Sequence, residues 1–69
     1  MLYQGKQIKS KNLNCIVTPF LTIEYLENNK IRAIVYHVPL AINKSEHLVS
    51  DIIFDKKYLL ELVKDFTLI

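Results

Sequence analysis

The sequence predicts an α+β fold: a small antiparallel sheet built on a long β-hairpin, residues 15–26 and 31–42, with a C-terminal amphipathic helix over 56–67 packed on one face. Three observations carry this. Two apolar, β-prone runs flank Asn28-Asn29, and asparagine tolerates the positive φ that a tight hairpin turn demands. The tail then changes period, with Leu59, Leu62, Val63 and Phe66 recurring at helical spacing behind Asp55, a residue suited to capping a helix. Finally, an apolar hairpin face needs a cover, and the tail helix carries a matching stripe.

A two-residue loop at Asn28-Asn29 sets Glu27 opposite Lys30 and fixes every later pair. One face of the ribbon then reads Tyr25/Arg32, Ile23/Ile34, Leu21/Tyr36, Pro19/Val38, Val17/Leu40 and Cys15/Ile42, apolar apart from Arg32 and Pro19. The other reads Leu26/Ile31, Glu24/Ala33, Thr22/Val35, Phe20/His37, Thr18/Pro39 and Ile16/Ala41, which is mixed. Uneven faces favour one register, because a one-residue slip turns a strand's side chains to the other side. Pro19 and Pro39 fall nearly side by side, and proline cannot donate to a ladder. A bend or bulge is therefore expected outward of Phe20/His37.

Ahead of the hairpin, residues 2–9 alternate loosely around Leu2 and Ile8 and predict a short edge strand, with a turn from Ser10 to Asn14. After the hairpin, Asn43 to Glu46 read as a polar loop, with Asn43 and Glu46 spaced as a capping box. Residues 48–54 fit helical spacing, but their Val, Ile and Phe content and alternation favour a strand. The helix is expected to end near Thr67. No boundary divides residues 1–69, so a single domain is expected.

A chain of 69 residues buries only about 60% of its unfolded surface and is marginal alone. One cysteine excludes an internal disulfide and, with two histidines, makes a poor metal set. An unpaired cysteine points to a reducing, cytoplasmic setting. No run approaches a membrane span, and the first residues lack the apolar stretch of a secretory signal.

No motif commits the chain to a chemistry. Cys15 and His37, the most plausible nucleophile and base, lie on opposite faces in the expected register, and His47 falls in a loop without a ligand partner. Glu24 and Glu27 point to opposite sides of a strand, a poor acid–base pair. Gly5 is the only glycine, so a phosphate-cradling loop is absent. The composition therefore predicts no cofactor, no metal and no catalysis.

What remains is a small protein-interaction module that self-associates, as a dimer, or binds another protein. Its expected interface is the mixed hairpin face: Phe20, Leu26, Ile31, Ala33 and Val35. The alternative is a nucleic-acid-binding regulator using Tyr3, Lys6, Lys9, Lys11 and Arg32. Against it, net charge is only +2, and lysines on an edge strand also serve to blunt that edge.

Overall fold

A computed structural model describes residues 1–41 and 45–69. The chain forms a small antiparallel sheet with one short C-terminal helix. Its strands are β1 (Leu2–Gly5), β2 (Ile8–Ser10), β3 (Cys15–Leu26), β4 (Lys30–Pro39), β5 (His47–Asp55) and β6 (Phe66–Leu68). Spatial order is β5-β4-β3-β1-β6, with β2 also alongside β3. The expected strand at 48–54 is present as β5. Ile42, the last residue of the expected second hairpin strand, and Asn43 of the expected capping box lie outside the described residues.

The β3–β4 loop spans three residues, 27–29, rather than two. Asn28 and Asn29 do take positive φ, 59° and 58°, and the Lys30 amide returns to the Glu27 carbonyl at 3.3 Å. Leu26 is nevertheless the partner of Lys30, so the register is displaced one residue from the expected one: Leu21 faces Val35, Ile23 faces Ala33 and Tyr25 faces Ile31. The displacement exchanges the two sides of β4. Ile31 and Ala33 enter the core with Leu21 and Ile23, while Ile34 and Tyr36 turn to the opposite face beside Thr22 and Phe20. It also sets Glu24 opposite Arg32, an opposite-charge pair where the expected register had Glu24 against Ala33.

Both prolines are accommodated without interrupting this ladder, which continues to Val17 and Pro39. The Ile23 amide donates to the Met1 carbonyl at 3.0 Å, so odd-numbered amides of β3 face β1. The missing donor of Pro19 therefore points at the gap where β1 stops at Gly5 and β2 has yet to start at Ile8. On β4 the Leu40 amide donates to the Ile16 carbonyl, so odd positions there face away from β3. Pro39 thus looks past the end of β5, whose pairing stops at His37/His47. The irregularity expected near the prolines sits instead in the β4–β5 ladder, where Val35 pairs with Ser50 and Tyr36 with Leu48, leaving Val49 as the extra residue of a bulge.

The helix is shorter than expected. A 3-10 turn at Lys56–Tyr58 leads into α1 (Leu59–Val63), and Phe66 belongs to β6, antiparallel to β1. Phe66 is aromatic and Thr67 β-branched, both strand-favouring, and the segment satisfies its backbone on β1. Because β5 and β6 run parallel at opposite edges, the segment between them must cross a face of the sheet. In crossing it lays Leu59, Leu62 and Val63, with Phe66 beyond, over Leu21, Ile23, Ile31 and Ala33. Asp55 does not cap the helix with its side chain; it pairs with Lys30. No helix among the described residues is long and apolar enough to cross a membrane.

Candidate interaction surfaces

The helix covers one face of the sheet and leaves the other open. Along the open face run Ile16, Phe20, Leu26, Ile34, Tyr36, Leu48 and Ile53, assigned by their partners across the ladders. Phe20 and Tyr36, opposite each other, stack with ring centroids 5.7 Å apart. Towards the hairpin turn the face becomes charged. Arg32 donates to both carboxylate oxygens of Asp51, at 2.8 and 2.5 Å, and lies 3.9 Å from Glu24. The hydrogen bond from Arg32 holds the Asp51 carboxyl below its ordinary pKa, and that from Lys30 does the same for Asp55.

The outer edge of this face is β5, nine residues long and, among the described residues, joined to a neighbouring strand, β4, on one side only. Four of its aliphatic side chains are about half exposed or more: Leu48 60%, Val49 48%, Ile52 50% and Ile53 60%. Leu48 and Ile53 project to the open face and Ile52 to the helix side, following Tyr36, Arg32 and Ala33. Edge strands are ordinarily blunted by charge, proline, a bulge or brevity. The opposite edge, β6, is three residues long; β5 carries the Val49 bulge and two aspartates but neither lysine nor proline, and it is not short.

The expected interface set is divided by the displaced register. Phe20 and Leu26 stand on the open face, whereas Ile31 and Ala33 are buried in the core and Val35 packs against it. Sequence reasoning missed Leu48 and Ile53. Strict alternation over 48–54 identifies a strand but sets Leu48 and Ile53 on opposite faces; the bulge at Val49 brings them to the same one.

The expected nucleic-acid set is also dispersed. Tyr3 packs on the core, and Arg32 is engaged by Asp51 at the hairpin end. Lys6 lines clefts with Gly5 and Asp65. Lys9 and Lys11 lie at the other end of the hairpin, where they share a cleft with His37 and His47. His47 is in a strand, directly opposite His37. His37 faces Pro19 rather than Phe20, which puts it on the same side of the ribbon as Cys15. Four strand positions still separate Pro19 from Cys15, roughly 13 Å. Among the described residues, no three His, Cys, Asp or Glu side chains group as a metal site. No known family model matches the chain, and neither a curated protein nor a solved structure does.

Proposed function

We propose that this chain is a non-catalytic interaction module that self-associates, with a second copy pairing along the edge of β5. The observation that carries the reading is the long, largely apolar edge of β5, which among the described residues has no strand on the side away from β4. Unpaired backbone groups on such an edge are a template for another strand. An antiparallel two-fold pairing offers the same strand on both sides, the commonest symmetry of small assemblies. Charge does not oppose it strongly: Asp51 and Asp55 are the carboxylates of β5, and each is paired within its own copy to Arg32 or Lys30.

Light scattering on a sizing column tests the reading. Wild type is expected to elute as a dimer at micromolar concentration. Leu48→Lys with Ile53→Lys, both changes at exposed positions, should shift it to monomer with an unchanged circular dichroism spectrum. A well-folded wild-type monomer at high concentration refutes self-association.

A further inference from the structure

The two histidines of the chain, ten positions apart in sequence, become direct neighbours in the sheet. His37 of β4 and His47 of β5 are partners across the ladder. Residues so opposed carry their side chains on one face, with Cβ atoms about 4.5–5.5 Å apart. That face is the helix side, because His37 also stands opposite Pro19, in phase with Leu21 and Ile23 of the core. Both histidines line one cleft, and no residue of α1 reaches it.

Nothing else engages the two imidazoles. Among the described residues neither has a hydrogen-bond, ion-pair or ring partner. No side-chain nitrogen there is both buried and unpartnered, so the ring nitrogens are open to solvent. Lys9 does not crowd them: it stands opposite Ile16, and so projects to the open face. Lys11 lines the cleft from the exposed turn after β2, where its charge is screened. No carboxylate among the described residues lines the cleft, which disfavours a hard cation such as Mg²⁺, whose ligands are oxygens. Imidazole suits Zn²⁺, Ni²⁺ and Cu²⁺.

We propose that His37 and His47 clamp one divalent late-transition-metal ion across the β4–β5 ladder. Their nitrogens supply two coordination positions at about 2.0–2.1 Å, and water supplies the rest within a cleft of about 380 Å³. The site lies inside a single copy and does not depend on self-association. Odd positions of β4 direct their backbone away from β3, so His37 faces β5, and His47 opposite it turns its backbone to β4 rather than to the free edge. Binding has a structural consequence too. Tyr36/Leu48 and His37/His47 are the rungs beyond the Val49 bulge, and an ion held by both imidazoles ties this end of β5 to β4.

Zinc chloride titrated into labelled wild-type protein, with magnesium chloride as control, tests the site by NMR. Zn²⁺ should shift the ring resonances of both histidines together, saturate at one ion per chain and slow amide exchange at His37 and His47. Mg²⁺ should do none of these. His37→Gln and His47→Gln, each at a half-buried position, should keep the wild-type circular dichroism spectrum. Each should weaken Zn²⁺ binding by more than about tenfold, the least that loss of even an outer-shell partner costs. The proposal is overturned if the two rings of the wild type respond at different Zn²⁺ concentrations or not at all, if Mg²⁺ reproduces the shifts, or if either variant binds as tightly as wild type. The wild-type ring shifts decide the matter even where a variant fails to fold.

Discussion

Gly5 shows how closely single residues are constrained here. A Cβ at this position would lie 2.9 Å from Cγ of Pro19 and 3.1 Å from the Phe66 ring. Both neighbours are held, Pro19 within β3 and Phe66 against the core. Gly5→Ala should therefore destabilise the protein by about 1–3 kcal/mol through overpacking, as a lower urea midpoint. The ion pairs set a different constraint. Asp51 and Asp55 have folded pKa values below the ordinary 3.8, so below that pH the unfolded chain takes up protons that the folded chain refuses. Their contribution is complete above the ordinary pKa and lost as pH falls through the folded values. Melting temperature should decline as pH drops below about 4, and Asp51→Asn with Asp55→Asn should flatten that decline. An equally steep decline in the double variant would exclude these carboxylates as its source.

Among the elements, β4 is where sequence and structure part. Its position and pairing with β3 were legible, because two apolar runs about an Asn-Asn turn have few other solutions. Its register was not. Ile31, Ala33 and Val35 on one side compete with Ile34 and Tyr36 on the other, and neither side is polar enough to betray which is buried. The length of the loop decides, and Asn28 and Asn29 adopt positive φ without revealing that Glu27 joins it. Leu59, Leu62 and Val63 of the expected stripe pack against the core; Phe66 repeats the spacing but joins a strand whose partner, β1, lies more than sixty positions earlier in the chain. The surfaces were less legible still. An edge strand and a cleft between β2 and β5 are products of strand order, which local patterning does not encode. Alanine scanning checks the register. Ile31→Ala, at a fully buried site, should cost about 2–5 kcal/mol, and Ile34→Ala on the open face about 1 kcal/mol or less. The reverse order would restore the two-residue loop.

The molecule as a whole is too extended for its mass. It measures 40 × 18 × 18 Å with a radius of gyration of 12.8 Å, where a compact chain of this length has about 11 Å. Its accessible surface is 5135 Å², against about 4,500 Å² expected for a compact monomer of this mass. The length comes from the hairpin, and the exposed aliphatic side chains of β5 are part of the surplus surface. The ion pairs of Arg32 with Asp51 and of Lys30 with Asp55 gather towards the hairpin turn, and Lys9, Lys11, His37 and His47 lie at the far end. A two-fold pairing through β5 would satisfy the edge backbone of both copies, bring their half-exposed β5 side chains together and leave the turn-end ion pairs within each. An isotope-filtered NOE experiment on mixed labelled and unlabelled protein tests this most directly. The account predicts cross-peaks from the Leu48 and Ile53 methyl groups of one copy to β5 protons of the other. Intermolecular contacts confined to other strands, or none at a concentration where the protein is folded, would contradict it.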